Sequence, residues 1–278
     1  MQIIAALTTV NTSELRLVFS GGTSLSKGFG LIQRFSEDLD FKVILPESGF
    51  NRNKCRSYRR QLVDAIRKGS SQWSLNDNDI FSRNQGRFFY CQIGYQCNFA
   101  LVTTLRPHIK LEISFKSPAL PVEEKSLQSF IAQALGNQPE VPAIACVSPI
   151  ETAADKLSAL TWRVLSQQLG NKLDDPALIR HLHDLTALEI LLTEYHDFPN
   201  LIITLLEEDV GRDKDLNLLA IPPIERLFLM LQYLEDDPVY ADEYERFVTS
   251  MSYATEDERP SFRQALDSAH RIVSRIDE

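Results

Sequence analysis

The chain has 278 residues, 44% of them hydrophobic and 24% charged, a balance that excludes wholesale disorder and leaves room for two domains or one large one. A formal net charge of −9, from 29 basic and 38 acidic residues, argues against a protein that coats nucleic acid indiscriminately. No apolar run approaches the roughly 18 residues that cross a bilayer.

The charge is unevenly distributed. Residues 1–186 hold 21 Lys+Arg against 17 Asp+Glu (+4), while residues 187–278 hold 8 against 21 (−13). Only the first part is suited to approach a polyanion. The start, Met1-Gln2-Ile3-Ile4-Ala5-Ala6-Leu7, lacks a basic segment and a cleavage site, which predicts no signal peptide and a cytoplasmic protein. Cys55, Cys91, Cys97 and Cys146 show no paired C-x-x-C spacing, so they read as reduced thiols and not as a zinc site or a disulfide framework.

In chain order, residues 15–19 read as a short strand that ends at Ser20-Gly21-Gly22. Residues 24–33 predict a short helix, weakened by Gly28 and Gly30. Leu39, Phe41 and Val43 alternate with Asp38, Asp40 and Lys42, the periodicity of a strand. A basic helix is predicted at about 54–68, with Tyr58, Leu62 and Ile66 as its buried stripe. Around it, Arg52, Lys54, Arg56, Arg59, Arg60, Arg67 and Lys68 stand against a single acid, Asp64. That run reads equally as a solvated helix face or as a phosphate-binding surface.

Residues 87–95 and 99–105 read as strands joined by a turn at Gln96-Cys97-Asn98. A further strand at 109–115 puts Ile109, Leu111, Ile113 and Phe115 on one face and Lys110, Glu112 and Ser114 on the other. A helix is predicted near 123–135, then a Pro-containing linker at 138–142. From Ser148-Pro149-Ile150-Glu151 (an N-cap, a first-turn proline and a capping-box glutamate) the pattern is helical. Asp175-Pro176 opens another helix in the same way, and further helices are predicted at about 198–209, 222–235, 239–251 and 259–276. The expected architecture is α+β: a small mixed-sheet domain over residues 1–147, then a helical domain over 148–278.

The segment that carries chemistry is Ser20-Gly21-Gly22-Thr23-Ser24-Leu25-Ser26-Lys27, followed by Arg34-Phe35-Ser36-Glu37-Asp38-Leu39-Asp40. A Gly-Gly turn between strand and helix lets backbone N–H groups approach an anion. Asp38 and Asp40, two apart on a strand, project to one face, and paired carboxylates repel unless a cation neutralises them. Magnesium, with its preference for oxygen and phosphate, is the natural cation, and manganese has similar donors. A phosphate cradle beside paired carboxylates is equipment for nucleotidyl transfer from a nucleoside triphosphate. Glu112 supplies a third carboxylate from the polar face of another strand. Gly28-Phe29-Gly30 lacks the third glycine of a dinucleotide fingerprint, and Lys27-Gly28 reverses the order of a P-loop. His181-x-His183-Asp184 invites a metal reading, but residues i and i+2 of a helix do not share a face.

Gly21-Gly22-Thr23 with Arg34-Phe35-Ser36-Glu37-Asp38-Leu39-Asp40 resembles the AbiEii/AbiGii toxin family, which includes the MenT toxins and lies in the DNA polymerase β-like nucleotidyltransferase superfamily. The family's downstream helices are matched by Glu151 to Leu160 with Arg163, and by Arg180-His181-Leu182-His183-Asp184-Leu185. His181 stands where the family has a first acidic residue, and the loop at 169–175 is longer than the family's. The resemblance implies that Ser20, Gly21, Gly22 and Thr23 hold triphosphate oxygens, and that Asp38 and Asp40 bind the metal. It implies that Lys156 neutralises triphosphate charge and that Asp184 orients Lys156 or the acceptor. Arg34 is expected to reach phosphate or to pair with Glu37.

The implied activity is that of a bacterial toxin–antitoxin or phage-defence toxin, adding nucleotides to the 3′ end of tRNA. Its partners would be a nucleoside triphosphate, the RNA and a cognate antitoxin. Transfer of AMP to a protein side chain, or silent nucleotide binding, are the alternatives. For an RNA acceptor, Arg56, Arg59, Arg60 and Arg67 are the expected contacts, since their helix follows directly on the Asp-x-Asp strand.

Overall fold

A computed structural model describes residues 1–96, 106–168, 178–209 and 217–277. The strand expected at 99–105, Cys97, the loop at 169–175 and the Asp175-Pro176 helix start lie outside the described residues. The chain divides into two compact units, Met1–Gly30 with Phe35–Ser148, and Leu31–Arg34 with Pro149–Glu278. Among the described residues no helix is long and apolar enough to cross a membrane.

The first unit is a mixed sheet with helices. Its elements are α1 (Gln2–Thr8), β1 (Arg16–Ser20), α2 (Gly21–Lys27), β2 (Asp38–Ile44), α3 (Arg52–Gly69), β3 (Trp73–Ser74), β4 (Ile80–Arg83) and β5 (Phe88–Tyr95). β6 (His108–Ser114), β7 (Glu123–Leu127), α4 (Phe130–Ala134) and β8 (Val141–Cys146) complete it. Among the described residues the sheet has eight strands in the order β3-β5-β6-β2-β1-β8-β7, with β4 pairing β5. β2 runs parallel to β6, and β1 parallel to β8, while β1–β2, β5–β6 and β7–β8 are antiparallel.

Strand alternation gives this sheet two unlike faces. One carries Leu17, Phe19, Phe41, Val43, Phe89, Leu111 and Ile113, all in one buried core with Tyr58, Leu62 and Ile66 of α3. Each such Val, Leu, Ile or Phe side chain removed from water contributes about 1.5–3 kcal/mol, so the stripe anchors α3 firmly. Asn51 caps that helix by accepting hydrogen bonds from the backbone N–H groups of Asn53 and Lys54. The other face carries Asp38, Asp40 and Lys42 of β2 and Lys110, Glu112 and Ser114 of β6.

Three local expectations change. The segment read as a helix at 123–135 is the strand β7 followed by the short helix α4, and β8 begins within the expected linker. β7 is Glu-Glu-Lys-Ser-Leu, largely exposed at the end of the strand order, so tertiary pairing overrides a composition that favours helix. The helix expected at 24–33 is α2, which starts three residues earlier, at Gly21, and ends at Lys27.

The second unit is helical: α5 (Pro149–Gln168), α6 (Arg180–Glu194), α7 (Phe198–Asp209), α8 (Pro223–Asp236), α9 (Pro238–Met251) and α10 (Phe262–Asp277). α5 packs against α6, α7 and α8, and buries Ala153, Ala154, Leu157, Leu160 and Val164 completely. Leu31–Arg34, which comes between α2 and β2 in sequence, belongs to this unit. The backbone of Gln33 accepts hydrogen bonds from Tyr253 N (3.1 Å) and Ser252 Oγ (3.2 Å).

Candidate active site

In the first unit the Gly-Gly turn and the carboxylates converge. β1 ends at Ser20, whose register partner on β2 is Asp40. Gly21 then turns into α2 with φ +73°, a left-handed conformation that side chains with a Cβ adopt at a cost. A Cβ built on Gly21 would lie 2.0 Å from Asp40 Oδ2, so the carboxylate is seated against the glycine backbone. Thr23 ties the turn down on the other side, its Oγ1 donating to the backbone carbonyl of Asp38 at 2.6 Å.

On the parallel neighbour β6, Glu112 is the register partner of Asp40 and Lys110 that of Asp38. Directly paired residues share a face, so Glu112, expected on the polar face of its strand, stands beside Asp40. Two cations accompany the acids. Arg106 Nη1 lies 2.6 Å from Asp38 Oδ1, and Lys110 Nζ lies 2.5 Å from Glu112 Oε1. Arg106 also donates its backbone N–H to Glu37. Sequence reasoning did not single out Arg106, which has no motif around it and reaches Asp38 across 68 positions.

Three oxygen-donor side chains on one face have the chemistry of a magnesium or manganese site. Among the described residues no three His, Cys, Asp or Glu side chains are gathered tightly enough to hold an ion by themselves. Magnesium characteristically takes one or two carboxylates and completes its shell with phosphate oxygens and water, and the Asp38–Asp40 pair fits that pattern.

In the second unit, Arg34, Lys156 and Asp184 form one buried cluster. Arg34 Nε and Nη2 each donate to an Asp184 oxygen at 2.6 Å, a bidentate pair, and Lys156 Nζ lies 2.7 Å from Asp184 Oδ2. The Asp184 side chain is 0% exposed and that of Arg34 1%. Burial pushes the Asp184 carboxyl up, but Arg34 and Lys156 outweigh it and hold the group well below the usual carboxylate range. Burial pulls the Lys156 ammonium below its ordinary value, against the opposing pull of Asp184. Asp184 was not among the partners foreseen for Arg34. His181 Nε2 lies 2.8 Å from Arg163 Nη1, which suits a neutral ring accepting at that nitrogen, and burial with the charges of Lys156 and Arg163 lowers its pKa well below the ordinary value.

The basic helix is placed differently from expectation. α3 packs on the apolar face of the sheet, opposite to Asp38, Asp40 and Glu112, so Arg56, Arg59, Arg60 and Arg67 do not stand beside the carboxylates. Connectivity kept α3 next to β2 in sequence, but its stripe of Tyr58, Leu62 and Ile66 decided which face it covers. Arg59 Nη1 donates to Ser82 Oγ at 2.8 Å, and Arg67 donates to Leu75 O and to Asp77 Oδ1. These two arginines brace α3 against the β3–β4 region.

A profile of the family described as nucleotidyl transferase AbiEii toxin, type IV toxin–antitoxin system, matches residues 3–268. Among solved structures, the chain is similar to MenT4, a nucleotidyltransferase toxin of Mycobacterium tuberculosis H37Rv, with a TM-score of 0.50 and 19% identity over 98% of this chain and 89% of that one. At that identity the likeness speaks for the fold alone. No curated protein matches the sequence. Because the family profile spans nearly the whole chain, the protein belongs to the AbiEii family of nucleotidyltransferase toxins of type IV toxin–antitoxin systems.

Proposed function

We propose that this toxin transfers a nucleoside monophosphate from a nucleoside triphosphate to RNA, with the 3′ end of tRNA as acceptor, in the cytoplasm. The observation that carries the reading is the seating of Asp40 against Gly21 with Glu112 in register beside it. A turn able to hold phosphate and an acidic face able to hold a cation thereby occupy one place. Membership of the family implies a triphosphate substrate and a cognate antitoxin.

In this reading Ser20, Gly21, Gly22 and Thr23 hold triphosphate oxygens, the backbone of Gly21 and Gly22 leaving room for close approach. Asp38 and Asp40 hold magnesium or manganese, with Glu112 completing the acidic face. When bound, the divalent ion neutralises triphosphate charge and favours the ionised acceptor hydroxyl. The acceptor hydroxyl gives up its proton to water, its oxygen forms a bond to the α-phosphorus, and the bond from that phosphorus to pyrophosphate breaks. Arg106 orients Asp38 through their 2.6 Å ion pair, and Lys110 holds Glu112 in the same way. The family resemblance gives Lys156 the triphosphate's charge and Asp184 the task of orienting it; the 2.7 Å pair supports the second role. Arg34, committed to the same carboxylate through two nitrogens, reads as a partner in positioning Lys156 as well as a phosphate candidate.

Incubating the protein with α-labelled nucleoside triphosphates, magnesium, deacylated tRNA and a cell lysate tests the reading. Label in RNA supports it. Label in protein would assign a protein acceptor, and nucleotide binding without transfer would assign a silent regulator.

A further inference from the structure

One register row crosses the sheet from the glycine turn to an aromatic surface. Ser20 pairs with Asp40, Asp40 with Glu112, Glu112 with Tyr90 on β5, and Tyr90 with Phe81 on β4. All of these beyond Ser20 project from the same face, because direct register partners do so. At the far end of the row the rings of Phe81 and Tyr90 stack, with centroids 4.7 Å apart and planes 16° from parallel. Phe81 is 38% exposed, which is unusual for a phenylalanine on a strand.

Two cations border the stack. The Arg83 guanidinium carbon lies 5.5 Å from the Tyr90 centroid, and Lys110 Nζ lies 5.8 Å from it. Arg83 is two residues from Phe81 on β4 and therefore shares its face. Stacked on Tyr90, Phe81 leaves its outer face for a base to continue the stack, and an exposed aromatic pair flanked by positive charge suits unpaired bases on their phosphate backbone. Duplex bases, already stacked on one another, cannot use it. Two strand spacings, about 10 Å, separate the Tyr90 backbone from that of Asp40, a span that the last nucleotides of a single strand cover.

We propose that Phe81 and Tyr90, with Arg83 and Lys110, form the platform on which the single-stranded 3′ end of the RNA acceptor stacks, upstream of the nucleotide whose hydroxyl reacts at Asp40. This rests on the RNA-acceptor reading and adds to it the residues that hold the acceptor. It also removes the need for α3, which covers the opposite face.

The test measures binding of a fluorescein-labelled single-stranded RNA oligonucleotide, and of the same oligonucleotide annealed to its complement, to the full-length protein. Phe81→Leu with Tyr90→Leu keeps apolar side chains on the strands but removes the π faces; Tyr90→Phe keeps them. The double variant should bind the single strand about 10- to 100-fold more weakly, the range of base–aromatic stacking, with duplex binding unchanged and Tyr90→Phe at wild-type affinity. Arg83→Gln should lower the salt slope by about 0.7, the value for one phosphate contact on a single strand. In the transfer assay the double variant should raise the KM for RNA and leave the KM for the triphosphate unchanged. Should the double variant fail to melt cooperatively, Phe81→Leu alone, at the exposed position, carries the same expectation at about tenfold.

Unchanged single-strand affinity in a folded variant overturns the platform, as does an equal loss for single strand and duplex. A wild-type protein that labels protein and not RNA overturns the RNA reading and the platform with it. A wild type that labels RNA while the variants keep its RNA KM overturns the platform alone.

Discussion

Asp40 Oδ2 occupies the space that a Cβ on Gly21 would need, 2.0 Å from where that carbon would stand. Two residues 19 positions apart are thereby locked together, one supplying bare backbone and the other a negative charge. Gly21→Ala therefore attacks the site twice. The left-handed φ of +73° costs alanine about 1–2 kcal/mol, and the methyl group must displace the carboxylate. A cooperative melt a few degrees lower, with transfer reduced by at least about 100-fold, is the expected result. Transfer within a few-fold of wild type would show that the seating of Asp40 does not matter to the reaction.

Glu112 is the register partner of Asp40 and is held by Lys110. Glu112→Gln keeps the shape but removes the charge, so activity and dependence on the divalent ion should weaken together, by less than for either aspartate. Titrating activity against magnesium concentration checks this. A lower maximal rate with an unchanged magnesium midpoint would detach Glu112 from the cation and leave it a partner for Lys110.

Asp184→Asn leaves Arg34 and Lys156 buried around an uncharged amide. Breaking a buried pair in this way costs on the order of 3–5 kcal/mol. The folded-state pKa of Asp184 lies below its unfolded value of 3.8, so its stabilising contribution is present above about pH 4 and is lost as pH falls through the folded value. The stability gap between wild type and Asp184→Asn should accordingly be present at about pH 5 and narrow as the pH falls below about 4. Denaturant melts across that range measure it. A gap that closes already between pH 6 and 7 would mean that another group carries the effect.

Lys156→Ala removes one of the two cations on Asp184 and leaves Arg34 in place. Transfer corrected for the folded fraction should fall on the order of 10²–10³, the loss typical of one preorganised electrostatic group. A loss of two- or threefold in properly folded protein would reduce Lys156 to a structural partner of Asp184.

Arg56→Gln with Arg60→Gln removes two charges from α3 on the sheet face opposite to the carboxylates. RNA affinity and the salt slope should change far less than in Arg83→Gln, as gel-shift titrations at several salt concentrations would show. A drop of one slope unit per arginine would bring the RNA path back to α3.

The strand alternation of Asp38 to Val43 and of Ile109 to Phe115 was legible because each strand has one apolar face buried against α3 and one polar face. That same alternation puts Glu112 on a polar strand face, while its register beside Asp40 comes from the pairing of β2 with β6. The helical second half was legible from capping residues and apolar spacing. β7 was not, because an exposed strand of Glu-Glu-Lys-Ser needs no apolar pattern and is defined only by pairing with β8. The side of the sheet taken by α3 could not be read from connectivity, since a strand is followed equally well by a helix on either face. Arg34–Asp184 and Arg106–Asp38 join residues 150 and 68 positions apart, and ion pairs at such separations leave no periodic trace in the sequence.

The measurement closest to the central claim is transfer of label from α-labelled nucleoside triphosphates to deacylated tRNA by wild type, Asp38→Asn and Asp40→Asn, with each variant's fold checked by thermal melting. Wild type should label the RNA in the presence of magnesium, and each folded variant should leave it unlabelled, because each has lost one charge of the acidic pair. Normal turnover by either folded variant would contradict the account.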